Sequence, residues 1–198
     1  RMENRLIFLC QLYFVKEGRR RVEAGGHNGR EETTTMCLIP AVRRATTLPL
    51  IAAGGIATGD AILAAEALGA EGVQIGTRFA FTAESSASEA FKRVCLNLNE
   101  GDTRLILKKL SPTRLVANKF RTVLEEAEAR DASAEELLEI IGVGRARMGM
   151  FDGDVENGEL EIGQIAALFK GRDIQTVAEA MAEMQAEYNA AKERLKEF

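Results

Sequence analysis

The 198-residue chain contains one histidine, His27, set in Glu23-Ala24-Gly25-Gly26-His27-Asn28-Gly29. Glycines let the flanking backbone approach a flat ligand, and an imidazole changes charge near neutral pH. The loop could therefore give or take a proton beside a carbon acid or a reduced enoyl substrate. A lone histidine is equally a surface or satisfied core residue, and its count alone leaves both readings open. Two further glycine sites follow short apolar runs: Gly54-Gly55 ends Leu48-Pro49-Leu50-Ile51-Ala52-Ala53, and Gly76-Thr77, 22 residues later, ends Gly72-Val73-Gln74-Ile75. That interval holds one helix and one strand, which returns the chain to the same edge of a parallel sheet. Backbone N–H groups without Cβ atoms, a following helix N-terminus and the Thr77 hydroxyl would together form a phosphate cup. Ordinary tight-turn glycines give the same pattern. A Gly-x-Gly-x-x-Gly spacing is absent at these turns, which argues against a Rossmann dinucleotide site.

The elements that must carry these residues read as follows. Residues 5–15 are aromatic and aliphatic and fit a strand or a buried helix, and the Gly-Gly-His stretch reads as a loop. Thr33 to Thr46 suits a helix with Pro40 in its first turns. Leu48 to Ala53 reads as a strand buried on both faces, Asp60 to Leu68 as a helix stopped at Gly69, and Gly72 to Phe79 as a second buried strand. Beyond about Ser85 the pattern turns helical: Ser88 to Leu98, Thr122 to Arg130, a segment opened by Ser133-Ala134-Glu135-Glu136, and the Ala-rich tail Ile174 to Lys196. A boundary near residue 120 is expected, with an α/β part over 1–120 and a helical part over 121–198.

Composition narrows the function classes. With 46% hydrophobic residues the chain can bury a real core. No run reaches the ~18 to 20 apolar residues that cross a bilayer, so neither a transmembrane helix nor a signal peptide is expected. Net charge is −4 with both signs interspersed, which favours neither nucleic acid nor an anionic membrane as partner. The basic triplet Arg19-Arg20-Arg21 reads as a solvated face. Cys10, Cys37 and Cys95 are too scattered for a disulfide framework or zinc site and read as reduced thiols of a cytoplasmic protein. Asp152 to Gly158 resembles a calcium loop, but its glycine is one place late and position twelve is Gly163, so no metal is expected.

Three of these motifs, taken in order at their spacing, make the chain recognisable. Glu23 to Gly29, Pro49 to Ala57 and Gly69-Ala70-Glu71-Gly72-Val73-Gln74-Ile75-Gly76-Thr77-Arg78-Phe79 resemble the flavin-binding barrel family of nitronate monooxygenases and enoyl-acyl-carrier-protein reductase II. The likeness covers about residues 22–120, and Gly149 to Gln164 resembles the C-terminal region of the reductase II branch. It implies an FMN-binding (β/α)8 TIM-barrel type of α/β fold with a helical C-terminal extension. In that family the Gly-Gly-His loop follows strand six, Ala-Gly-Gly strand seven and Gln-x-Gly-Thr strand eight. Carried over, Gly54, Gly55, Gly76 and Thr77 would hold the FMN phosphate. Ala24, Gly25 and Gly26 would line the flavin, Gln74 would lie near it, and His27 would face the reacting substrate.

A full barrel of this kind takes roughly 250 residues, whereas only some 22 precede the histidine loop. The resemblance therefore implies that only the last strands are present. Two activities fit one scaffold: reduction of an acyl-carrier-protein-linked enoyl substrate with NADH or NADPH as donor, slightly favoured by the Gly158 to Gln164 likeness, and oxidation of a small-molecule nitronate by oxygen. The contrasting expectation is a non-catalytic remnant. A parallel sheet of few strands leaves open edges, so a homo-oligomer is expected in either case.

Overall fold

A computed structural model describes Phe8–Leu9 and residues 22–197 of the chain. The remainder of the 5–15 segment, Cys10 and the Arg19 to Arg21 cluster lie outside the described residues. In chain order the elements are β1 (Phe8–Leu9), β2 (Gly26–His27), α1 (Thr35–Ala45), β3 (Leu50–Ala53), α2 (Gly59–Ala67), β4 (Gly72–Gln74), α3 (Thr77–Ala80) and α4 (Glu89–Cys95). These are followed by β5 (Thr103–Ile106), β6 (Thr113–Val116), α5 (Lys119–Ala129), α6 (Ala134–Ile141) and α7 (Val177–Leu195). A π-helical turn at Arg147–Phe151 and a 3-10 helix at Gln164–Phe169 lie between the last two helices.

The strands form two sheets. The first is parallel, in the order β1-β3-β4, with Leu9 opposite Ile51 and Ala53 opposite Gln74. The second is antiparallel, in the order β2-β6-β5. Along β3 the chain is apolar because helices cover it: Leu50 and Ala52 are buried with Leu38, Ile39 and Val42 of α1 and Ala65 of α2. Burial of each large aliphatic side chain contributes about 1.5–3 kcal/mol. Helix α2 starts where Thr58 caps it, its hydroxyl accepting from Ala61 N at 3.2 Å, and stops at Gly69, whose φ of +108° only glycine adopts readily. Residues on both sides of position 120 share a further cluster, in which Phe81, Phe91 and Val116 meet Leu160, Ile162 and Phe169.

Several expectations from the sequence are corrected. The Gly-Gly-His stretch is not wholly loop, because Gly26 and His27 pair with Arg114 and Thr113 of β6. The segment beyond Ser85 is not purely helical: the β5–β6 hairpin intervenes, with polar residues (Arg104, Arg114) along it that mask strand periodicity. Strand β4 ends at Gln74, which is exposed, and the chain turns into α3 at Thr77 instead of continuing as a buried strand to Phe79. Pro40 lies inside α1, at its sixth residue, where a missing N–H removes one helical bond.

The C-terminal helix α7 lies close against α2. A Cβ on Gly59 would come within 2.1 Å of Tyr188 N and 2.4 Å of Met184 O, so only glycine permits the approach. Gly59 N donates to Glu187 Oε2 at 2.7 Å, and Met184 and Ala180 are buried beneath the helix. Among the described residues no helix is long and apolar enough to cross a membrane. Arg78, with no exposed surface, ties the barrel-like layer to this helix. Its guanidinium donates to Ala57 O at 3.0 Å, to Gln175 Oε1 at 3.2 Å and to Glu183 Oε2 at 2.6 Å, and stacks 4.8 Å from the centre of the Phe169 ring.

Burial raises the Glu183 carboxyl, but hydrogen bonds from Gln175 and Arg172 and the charges of Arg78 and Arg172 outweigh it and hold it at about 2. Its unfolded counterpart, near 4.5, takes up a proton first as pH falls. The stabilisation is therefore complete above that interval and lost between 4.5 and about 2. We expect Arg78→Leu to cost about 1–3 kcal/mol in urea unfolding, because it removes the side-chain donor to Ala57 O and one of the three partners of Glu183, leaving Arg172 and Gln175 on that carboxylate. Glu183→Gln should flatten the loss of stability on acidification, as read by unfolding midpoints at successive pH values. An acid limb unchanged by Glu183→Gln would count against this pairing.

Candidate functional site

The carboxyl ends of β3 and β4 lie side by side, since Ala53 and Gln74 are register partners and the glycine turns begin just beyond them. Gly54 and Gly55 have φ of +97° and +69°, a region that favours glycine. Gly76 differs: its φ of −99° would accept any residue, and a Cβ there would meet nothing within 4 Å. This position has both the backbone and the room for a side chain and yet carries none. Thr77 opens α3 directly after it.

The Glu23-to-His27 segment reaches these turns by two routes. Glu23 Oε2 accepts from Thr35 N at 2.8 Å and from the Thr35 hydroxyl, which also lies 3.0 Å from Gly54 O. The carboxyl lies beneath Gly55, 3.3 Å from where a Cβ would be. The second route runs through Ile162-Gly163-Gln164. Gly163 N donates to Thr77 Oγ1 at 3.2 Å and Gln164 N to Glu23 O at 3.1 Å. A Cβ on Gly163 would come within 2.6 Å of Thr77 Oγ1 and 3.1 Å of Glu23 O, and a Cβ on Gly25 within 2.5 Å of the Ile162 carbonyl carbon.

Of the residues singled out in the sequence, Gly25 and Thr77 thus lie against the Ile162–Gln164 segment, Gly26 lies against Glu161, and Ala24 sits between Glu23 and Gly25, while Gly54, Gly55, Gln74 and Gly76 stand at the adjoining strand ends. His27 stands on β2 with its side chain exposed. Among the described residues no hydrogen bond joins it to the glycine turns. Other residues hold the site without having been singled out. Asn28, buried, donates to Ala24 O at 2.9 Å and Gly26 O at 2.7 Å, bracing the loop from below. Arg114, also buried, donates to Val22 O and to Thr103. Burial lowers its pKa, and the charges of Glu23 and Glu32 oppose that shift. Beside His27, the side chains of Glu159 and Glu161 lie together, half-buried. A cleft of about 690 Å³ between β4 and α7, lined by Val73, Phe79, Met184 and Tyr188 among others, includes neither His27 nor the glycine turns. Shape alone would point there; the glycine geometry points to the strand ends.

Parallel strands with helices, glycine turns at the strand ends and a helical C-terminal region define a partial α/β barrel. The sequence model of the nitronate monooxygenase family matches residues 14–187, and the chain belongs to that family. A probable nitronate monooxygenase of Staphylococcus haemolyticus is 44% identical over 90 residues, 41% of this chain and 25% of that protein. FabK from Thermotoga maritima superposes with a TM-score of 0.81 at 33% identity, over 96% of this chain and 61% of its own. A nitroalkane oxidase from Streptomyces ansochromogenes gives 0.72 at 28%, over 89% of this chain and 52% of its own. The chain therefore spans a quarter of that curated relative and somewhat more than half of these solved structures.

The two classes of glycine predict opposite outcomes. Gly25→Ala should cost about 1–3 kcal/mol, because its Cβ meets backbone that cannot turn aside, whereas Gly76→Ala should stay within about 0.5 kcal/mol of the parent. Equal unfolding midpoints for the two variants would contradict the close contact at Ile162.

Proposed function

We propose that the chain is the C-terminal part of an FMN-dependent oxidoreductase whose glycine turns bind the flavin phosphate and whose His27 exchanges a proton with substrate. The observation that carries this reading is Gly76, an open glycine beside Gly54, Gly55 and the Thr77 hydroxyl. A cradle of this kind suits a phosphate, since backbone N–H groups at strand ends before helix starts favour an anion. In this reading Gly54, Gly55, Gly76 and Thr77 hold the phosphate, Ala24 to Gly26 line the ring system, and Gln74 lies near it. The bound flavin would supply hydride transfer. The residues of the chain position it and, at the exposed His27 imidazole, move the proton that accompanies the hydride.

Between substrates we favour an enoyl thioester, carried on acyl carrier protein and reduced with NADH or NADPH as donor. The likeness to FabK extends over 96% of the chain, and the Gly158 to Gln164 segment that braces the site resembles the same reductase branch in sequence. The names of the family and of its Staphylococcus relative favour the second reading, oxidation of a nitronate. Strand β4 lies at the edge of its sheet, which supports pairing with a second copy or with further barrel strands. Anaerobic addition of NADH, NADPH and a nitronate to the flavin-loaded protein separates the readings: the compound that bleaches the flavin names the donor.

Gly76→Val should abolish FMN binding with helix content unchanged, because its side chain fills the cradle. His27→Ala should keep the bound FMN and lose turnover per flavin by about 10²- to 10⁴-fold, and His27→Asn should not restore it, since an amide does not titrate near neutral pH. Retained FMN affinity in Gly76→Val, or turnover within about threefold of parent in His27→Ala, would overturn the respective assignment.

A further inference from the structure

The segment Glu159 to Ile162 alternates polar and apolar residues, and the structure uses that alternation. Leu160 and Ile162 are buried in the core cluster, 1% and 3% exposed, so Glu159 and Glu161 share the opposite side. Glu161 forms an antiparallel bridge with Leu115 of β6, and Val116 N donates to Leu160 O at 3.0 Å. Along β6, Thr113, Arg114 and Leu115 therefore face His27, Gly26 and Glu161 in turn. The Glu161 carboxyl lies over Gly26: Oε2 is 2.3 Å from where a Cβ would stand. Gly26, at φ +68°, is thus glycine for two reasons, its backbone and the carboxyl above it.

We propose that Glu161, backed by Glu159, is the positioning residue of His27, its carboxylate set to favour the imidazolium that forms when His27 takes a proton. The inference rests on the reading of His27 as the proton-exchanging group. The charged groups facing Glu161 are His27 from β2 and Glu159 from its own segment, while the Arg114 guanidinium is spent on Val22 and Thr103. Burial raises the Glu161 carboxyl, and the His27 charge and a hydrogen bond from Glu159 oppose that rise. For Glu159, burial, the adjacent Glu161 charge and the shared hydrogen bond all act upward and bring it to about 7. Two carboxyls this close hold one proton between them near neutrality. The hydrogen bond between them raises Glu159 and lowers Glu161, so the negative charge is drawn toward Glu161, on the side of the imidazole. When His27 gains a proton from solvent or substrate, the new cation lies in the field of that charge.

The test needs no flavin. With side-chain carboxyls labelled with ¹³C, the Glu161 titration is compared in the parent and in His27→Gln, a replacement at an exposed position. Loss of the facing cation should raise the Glu161 midpoint, by on the order of half a pH unit, and Glu161→Gln should return Glu159 from about 7 toward the ordinary glutamate range. A Glu161 titration unchanged in His27→Gln overturns the proposal, whether or not the protein binds FMN. In flavin-loaded protein, Glu161→Gln should lower kcat about tenfold and displace the pH–rate profile with KM unchanged, and Glu161→Asp should restore part of the rate. A profile superimposable on the parent's overturns the proposal as well, and so does loss of bound flavin in Glu161→Gln, which would make that carboxyl a support of the flavin loop and not of His27.

Discussion

Three segments meet at Gly163 with no room for a Cβ on any side. Its N–H donates to Thr77 at the start of α3, a Cβ on it would meet Thr77 and Glu23, and its neighbour Ile162 leaves no room for a Cβ on Gly25. This backbone contact joins the parallel sheet, which ends in Gly76 and Thr77, to the antiparallel sheet, which carries Gly26 and His27. Close packing of this kind has no slack, because interior density leaves little space to absorb a methyl group. The relative placement of the glycine turns and the imidazole therefore depends on two residues with no side chain, Gly25 and Gly163. Hydrogen bonds from Gln164 N to Glu23 O and from Asn28 to Ala24 and Gly26 then fix the loop between them.

Charge is distributed to support this junction. Buried Arg114 balances Glu23 and Glu32 behind the loop, and buried Arg78 links the sheet to the C-terminal helix through Glu183. Each guanidinium donates to carbonyl oxygens as well as facing carboxylates, as a charge taken out of water must. In contrast, most ion pairs on the outer helices, such as Arg93–Glu89 and Lys119–Glu156, are exposed on both sides and contribute little. Cys95, buried in the core with its thiol pushed up to about 12 by desolvation, is a packing residue with no nucleophilic character near neutrality.

Much of this was legible in the sequence, for identifiable reasons. Apolar runs that end in glycine located β3 and β4, and the 22-residue interval put their ends on one edge. Ser133 caps α6 where the sequence placed a helix start, and a capping residue is a local signal that needs no tertiary context; Thr58 and Thr176, which cap α2 and α7, carry the same signal but were passed over. The β5–β6 hairpin was missed because Arg114 is buried by a tertiary bond to Val22 and Thr113 by a local one to Ser111, so their polarity disguised a fully covered strand. Glu161 and Gly163 were missed for a related reason. Their positions gain meaning only from segments distant in the chain, β6 and the Glu23-to-His27 loop for Glu161 and Thr77 and Glu23 for Gly163, although the alternation Glu159-Leu160-Glu161-Ile162 is a strand signal that could have been read.

The central claim is that a phosphate group, and not the ring system alone, is what the two glycine turns recognise. Its most direct measurement is the affinity of the chain for FMN against that for riboflavin, which differs by the phosphate only, followed by quenching of flavin fluorescence. FMN should bind at least tenfold more tightly, an advantage of about 1.4 kcal/mol, and high phosphate should compete with it. Equal affinities for the two flavins, or binding of neither, would contradict the account.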